Sequence, residues 1–427
     1  MWGVASCNQE SRLSVKYRHR VLTFLSLLSV ITYLDRVCIS VAGPRMQDEL
    51  HLGPQAWGLV TGAFAIAYAA FEIPSGYMGD RFGARLMLTR IVLWWSAFTS
   101  LTGMVSRFSS LLLVRFCFGA GEAGAYPNAS GSIFNWFPTV ERGRAFGLVW
   151  MSSQFGGVIA PLLVLPIQAK YGWRASFYAF GIWGAIWAIA WWSWYRNHPK
   201  DKPGITNEEL VEIGPSPGVV KHRFPRKAIL RNKSVWAVMG TAWAYAYAAF
   251  FFFSWLPTYL VRARGFTEKE LNFSALPFLF AGVANFAGGL ARDAAVKRWG
   301  LKWGQRTVGL IGLVSSAACV LAALMAANKY AALIWLALCY SGISCQQPTV
   351  WAICVDIGKG YAGAIAGCMN TAANLGGLTS SVFFGFLVEH SGSYNIPLVT
   401  MAAILLMGAS LWLKIDATEE LETQVPA

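Results

Sequence analysis

The chain has 427 residues, of which 56% are hydrophobic and 13% charged, with a mean hydropathy of +0.45. A soluble protein carries about a quarter of its residues as charges, so the composition excludes a soluble globular domain and points to a chain that crosses a membrane many times. The formal charge of +14 raises a nucleic-acid reading, which the placement of the charges removes.

The N-terminal 20 residues are polar and basic, and the apolar run after them is interrupted by Asp35 and Arg36, unlike a cleavable signal peptide. Apolar runs of about 20 residues can cross about 30 Å of hydrocarbon as helices. They predict spans near 21–43, 56–79, 85–105, 109–131, 144–166, 175–195, 234–260, 271–296, 304–326, 330–352, 360–388 and 394–415. The sequence therefore predicts an all-α membrane protein of twelve helices, in two six-helix bundles over 1–196 and 234–427. The hydrophilic stretch between them, 197–233, carries Pro199, Pro203, Pro215, Pro217 and Pro225 and reads as a cytoplasmic linker. An even number of spans places both termini on one side. Lys and Arg outside the spans favour that side by roughly three to one, which makes it the cytoplasm of a cell (inner) membrane protein. The basic excess is thus a topology signal, and the expected partner is the lipid bilayer, with no nucleic acid.

Cys38, Cys117, Cys319, Cys339, Cys345, Cys354 and Cys368 lie in apolar runs and read as packing residues, with Cys7 alone in a polar one. His198, His222 and His390 are isolated, with no metal-ligand spacing. There is no G-x-x-x-x-G-K-[ST] pattern for a nucleotide. No metal or cofactor is expected.

The two halves echo each other. "SGYMGDRFG" (75–83) follows the second span and "GGLARDAAVKRWG" (288–300) the eighth; each has Gly one residue in and Asp four residues later. "QFGG" (154–157) in the fifth span is matched by "NLGG" (374–377) in the eleventh. Parallel repeats of this kind mark carriers that rock about a site near the membrane midplane.

"SGYMGDRFGAR" (75–85) resembles the cytoplasmic loop motif of the major facilitator superfamily. "YLDR" (33–36), "RFCFGAGEAGAYP" (115–127) and "NWFPTVERGRA" (135–145) are together similar to its anion:cation symporter family. Within it, "WLPTYL" (255–260) and the compact loops look closest to bacterial sugar-acid permeases. The resemblance runs from about residue 17 to 415 and implies the major facilitator fold.

Charges inside a span cost about 2.5–3.5 kcal/mol each on insertion scales, and they face the bundle interior or a water-filled path. Arg115 and Glu122 are two helical turns apart and therefore share one face, about 10 Å apart along the axis. Tyr126 would extend that face by one turn. Asp35 and Arg36, being adjacent, diverge by about 100° and cannot point the same way. A carboxylate balanced between desolvation and a nearby guanidinium can gain and lose a proton. A guanidinium stays charged and can hold a carboxylate by two parallel hydrogen bonds.

The resemblance implies roles for these groups. Asp35 and Glu122 match the proton-titrating pair, Arg36 the substrate-carboxylate ligand, and Arg115 the group that tunes the neighbouring acid. Tyr68, Gln154, Trp351 and Asn370 match substrate-cavity positions, and Asn374 stands where a small residue is expected. Asp80, Arg81, Arg85, Glu141 and Arg142 match a cytoplasmic charge clasp that gates the carrier. Glu72, where relatives often carry Gln, reads as a structural acid near the cytoplasmic end, with a place on the proton path as the alternative. The competing reading is that Asp35, Arg36, Arg115 and Glu122 form fixed ion pairs between helices.

The function that follows is proton-driven import of an organic anion by alternating access, in a carrier that is no enzyme and is expected to act as a monomer. Hexuronates, aldonates, glucarate and aromatic carboxylates such as phthalate or hydroxyphenylacetate all fit. Organophosphate exchange would favour a basic residue in each half, and the second-half spans have none in their cores. A non-transporting sugar-acid sensor would need an output domain, for which the cytoplasmic segments are short.

Overall fold

A computed structural model describes residues 16–214, 226–358 and 362–419. Its regular secondary structure is helical throughout. The first half comprises α1 (Tyr17–Glu49), α2 (Pro54–Phe82), α3 (Ala84–Thr102), α4 (Phe108–Glu122), α5 (Ala125–Trp136), α6 (Thr139–Tyr171) and α7 (Trp173–Trp194). The short helices α8 (Asn207–Ile213) and α9 (Arg226–Arg231) follow. The second half comprises α10 (Lys233–Ser254), α11 (Leu256–Arg264), α12 (Leu276–Met325), α13 (Lys329–Gly358), α14 (Ala362–Ser391) and α15 (Asn395–Trp412). Among the described residues, eight helical stretches are long and apolar enough to cross a membrane.

The structure corrects two expected spans. The run 109–131 is two helices, not one: α4 ends at Glu122, Gly124 turns left-handed at φ 88°, and α5 restarts at Ala125. The run 234–260 is likewise split at Trp255. In both places a proline, Pro127 or Pro257, sits in the first turn of the restarted helix, where its missing N–H costs nothing. The separate spans 271–296 and 304–326 turn directly into one another within α12, at Gly300 with φ 75° and ψ 171°.

That turn is one half of a structural echo. Gly83, at the end of the first loop motif, passes α2 into α3 with φ 81° and ψ 153°. Gly300 closes the matching motif in the second half with nearly the same backbone. The paired glycine motifs behave alike too. A Cβ on Gly156 of α6 would meet the Val30 carbonyl of α1 at 2.3 Å, and one on Gly376 of α14 would meet the Trp243 carbonyl of α10 at 2.2 Å. In each half the glycine lets the helix lie backbone to backbone on that half's opening helix.

The segment read as a linker is docked in its described part, while 215–225 lies outside the described residues. Glu209 of α8 is buried and accepts from the Tyr17 and Arg18 backbone N–H groups at 3.1 and 2.9 Å, placing a carboxylate on the N-terminus of α1. Lys16, hydrogen-bonded to Glu212, holds that carboxyl below its ordinary range.

The break between α4 and α5 makes a stability prediction. Gly124→Ala would combine a left-handed backbone, about 1–2 kcal/mol for an L residue, with a Cβ 2.3 Å from Ser75 Oγ. Gly131→Ala, with open space at the Cβ position inside α5, should be neutral or stabilising by up to about 1 kcal/mol. Thermal unfolding of the two variants in detergent should separate them, with only Gly124→Ala shifted down.

Candidate functional site

The helix break puts Glu122 at the last turn of α4, buried and pressed towards α1. Two close approaches bring it there. A Cβ on Gly119 would meet the Phe64 carbonyl of α2 at 2.4 Å, and one on Gly121 would overlap the Trp94 ring of α3. At this point Arg36 Nε of α1 donates to Glu122 Oε1 at 2.5 Å, while Glu122 Oε2 has no partner among the described residues. The Arg36 guanidinium also lies over three aromatic rings, 4.9 Å from the Tyr68 centroid, 5.2 Å from Phe64 and 5.5 Å from Tyr33.

Arg115 does lie on the buried face of α4 with Glu122. Its guanidinium stacks over Phe118 at 4.3 Å and Phe64 at 5.4 Å, and its Nε is without a partner among the described residues. Arg36 is thus the guanidinium bonded to Glu122, whereas Arg115 is held against the two rings. Asp35, one residue before Arg36, is 2% exposed, and both of its oxygens lack a hydrogen-bond partner among the described residues.

Tyr126 does not extend the Arg115–Glu122 face, because Gly124 ends that helix. It instead stacks on Trp150 of α6, with centroids 4.7 Å apart and planes within 2°. Trp150 in turn meets Trp351 of α13 at 6.0 Å, so an aromatic bridge joins the two halves.

Arg36 and Arg115 line one small cavity, with Thr61 and Phe64 of the first half and Phe250, Phe253 and Ser254 of the second. Gln154 is buried on α6, its Oε1 without a partner among the described residues, and its Cβ would lie 3.5 Å from a Cβ at Gly282 of α12. Asn370 and Asn374 of α14 both turn to Glu72 of α2. Asn370 Nδ2 donates to Glu72 Oε1 at 2.5 Å, and Asn374 Nδ2 reaches Glu72 Oε2 at 3.4 Å. Glu72 was read from the sequence as a structural acid apart from the cavity. Its spacing of one turn from Tyr68 is the signal that places both on one face of α2.

The two ends of the molecule differ. Of the expected clasp, Asp80 lies on α2 with its side chain outside the described residues, and Arg81 is exposed. Arg85 donates to the Trp192 carbonyl at 2.6 and 2.9 Å, Arg142 to the Phe134 and Phe137 carbonyls, and Glu141 pairs with Arg18 at 3.2 Å. All these partners belong to the first half. At the opposite end, contacts run from half to half. Arg45 pairs with Glu268, Arg262 with Asp48, Gln47 donates to Thr258 at 2.9 Å, and Gln168 to Glu268 at 2.9 Å. Trp57 Nε1 donates to the Ser254 carbonyl at 3.1 Å, and a Cβ on Gly58 would meet the Ser381 carbonyl at 2.5 Å. Sequence reasoning missed this seam, since partners 100 or more residues apart leave no local pattern.

The chain matches known proteins along most of its length. A family model described as Major Facilitator Superfamily matches residues 25–380. A probable sulfoacetate transporter of Cupriavidus necator is 35% identical over 401 residues, covering 92% of this chain and 93% of that protein. A hexuronate transporter of Bacillus subtilis is 30% identical, covering 88% and 89%, and a probable L-galactonate transporter of Escherichia coli is 28% identical, covering 94% and 90%. Among solved structures, a bacterial homolog of the human lysosomal transporter Spinster superposes with a TM-score of 0.77 at 20% identity, covering 93% of this chain and 97% of that one.

The half-to-half seam predicts a conformational response. Its ion pairs are substantially exposed, so each is worth about 0.2–1 kcal/mol. Nitroxide labels at the exposed positions His51 and Asn328, on opposite halves of this end, report its opening. The Asp48→Asn, Glu268→Gln double variant should add a longer-distance population by electron–electron resonance. An unchanged distribution would remove these pairs from the closure.

Proposed function

Since the chain belongs to the Major Facilitator Superfamily, an integral membrane protein with several spans, we propose that it is a secondary active transporter that imports an organic anion with protons. The observation that carries this reading is the buried Arg36–Glu122 pair, whose arginine lines a cavity between the halves. On this reading the fold holds twelve spans in two six-helix bundles joined by a cytoplasmic linker, of the anion:cation symporter type. Relatives whose names specify sulfoacetate, hexuronate and galactonate support an organic anion as cargo.

The mechanism is an exchange of partners. A bare guanidinium in a low-dielectric site needs an anion. Glu122 supplies one when the site is empty; a substrate carboxylate, held by two charge-assisted hydrogen bonds, supplies the other. When the substrate takes Arg36, Glu122 is left without its counter-charge and takes up a proton. Asp35, buried without a hydrogen-bond partner among the described residues, is the second proton-carrying acid. Arg115, in the same cavity wall, adds the positive field that draws the anion in. Tyr68, Gln154, Trp351, Asn370 and Asn374 complete the substrate surface by stacking and hydrogen bonding.

The bias of Lys and Arg towards the terminal side makes that side cytoplasmic in the inner membrane. The sealed end, with Arg45, Glu268, Asp48 and Arg262, is then the outer one, and this conformation is closed to the outside. Asp80, Arg81, Arg85, Glu141 and Arg142 form the opposing cytoplasmic gate when the carrier opens outward. The carrier works as a monomer.

Uptake into proteoliposomes tests the reading, using a panel of sugar acids and small carboxylates under an imposed pH gradient. Wild-type protein should accumulate at least one organic acid. Glu122→Gln should keep exchange and lose pH-driven accumulation. Arg36→Lys, which loses the two-pronged grip, should weaken apparent affinity by about tenfold or more, about 1.4 kcal/mol. Accumulation by Glu122→Gln at the wild-type level would refute the proton role.

A further inference from the structure

The cavity carries its charge on one side, with Thr61 and Ser254 as the other polar groups among the rings of Phe64, Phe250 and Phe253. One wall presents the guanidinium groups of Arg36 and Arg115. Glu72 lies one turn of α2 beyond Tyr68, itself stacked under Arg36, so the second feature is displaced by about 6 Å along the helix axis. This is the length scale of a short sugar-acid chain. At that second position three of the four amide hydrogens are already directed to acceptors. The Asn370 amide donates to one Glu72 oxygen at 2.5 Å. The Asn374 amide donates to the Asn370 carbonyl at 3.0 Å and approaches the other Glu72 oxygen at 3.4 Å. Each asparagine side chain has one carbonyl acceptor besides its NH₂ group. What this end retains for a ligand is therefore the remaining Glu72 lone pairs, two amide oxygens and one Asn370 N–H, a set richer in acceptors than in donors. Glu72 has no cationic hydrogen-bond partner among the described residues, and Arg36 is bonded to Glu122.

We propose that Glu72 is a specificity-determining residue: with Asn370 and Asn374 it forms an acceptor subsite that selects an anion with one carboxylate and a hydroxyl-bearing tail, and rejects dianions. The proposal rests on the reading that an organic anion binds at Arg36 and Arg115. It narrows that reading to polyhydroxy monocarboxylates. A hydroxyl can donate to the remaining lone pairs of the Glu72 carboxylate and to the amide oxygens. A second carboxylate or a sulfonate placed there meets the Glu72 carboxyl and two amide oxygens, an acceptor set that disfavours it. Because Glu72 is on the first half and the asparagines are on the second, a tail bound between them also draws the two halves together.

Binding measurements on purified full-length protein test this. The probes are D-galactonate and D-glucuronate as hydroxylated monoanions, D-glucarate and sulfoacetate as dianions, and hexanoate as a monoanion without hydroxyls. Quenching of tryptophan fluorescence, with Trp150 and Trp351 at the cavity, provides the signal. Wild-type protein should bind at least one hydroxylated monoanion about tenfold more tightly than either dianion, and more tightly than hexanoate by a similar factor. Glu72→Gln should reduce the monoanion-to-dianion ratio to about threefold or less, through tighter dianion binding. Dianions binding as tightly as monoanions to the wild type, hexanoate matching galactonate, or an unchanged ratio in folded Glu72→Gln would each overturn the proposal. The wild-type ratio needs no variant, so poor folding of Glu72→Gln cannot shelter it. Binding of neither class would overturn the organic-anion reading and this proposal together, whereas equal binding of both overturns this one alone.

Discussion

The Arg36 guanidinium and the Glu122 carboxylate meet at 2.5 Å between α1 and α4, with the carboxylate wholly shielded from solvent. Removing one partner from a buried ion pair costs about 3–5 kcal/mol, because the other is left charged and uncompensated. That cost is what links two otherwise separate events in the proposed cycle. The anion cannot take Arg36 unless Glu122 is neutralised, and Glu122 cannot be neutralised cheaply while Arg36 lacks another anion. The aromatic rings of Tyr33, Phe64 and Tyr68 around the guanidinium keep it within the cavity wall while its partners change.

The backbone serves this pair. Gly119 and Gly121 allow α4 to lie against α2 and α3, and Gly124 ends the helix directly after Glu122. The closed end is held differently. Backbone contact at Gly58 combines there with partly exposed ion pairs that are individually weak. A gate that must open in each cycle is better built from several small terms than from one large one. The strong interaction sits at the site, and the weak ones sit at the rim.

Much of this was legible in the sequence. Apolar runs located the helices, and the paired motifs at Gly83 and Gly300, and at Gly156 and Gly376, take up matching backbone roles in the two halves. The breaks within the runs 109–131 and 234–260 were not read, because apolarity is continuous across them. Proline alone does not mark them either, since Pro44, Pro74, Pro161, Pro166 and Pro348 lie inside intact helices. At Gly124 the signal is the combination of a glycine free to turn left-handed and a proline three residues on. The residues Asp35, Arg36, Arg115 and Glu122 stood out as charges in apolar surroundings, but which guanidinium meets which carboxylate depends on helix packing. So does the partnership of Glu72 with Asn370 and Asn374, whose positions are some 300 residues apart.

Proton uptake on substrate binding tests the partner exchange most directly. Purified protein in weakly buffered solution near neutral pH, mixed with a saturating organic acid that it binds, should take up about one proton per site as Glu122 gives way to the substrate at Arg36. Glu122→Gln should bind the same acid with that uptake abolished or sharply reduced. Binding by the wild type without proton uptake, or equal uptake by Glu122→Gln, would contradict the account.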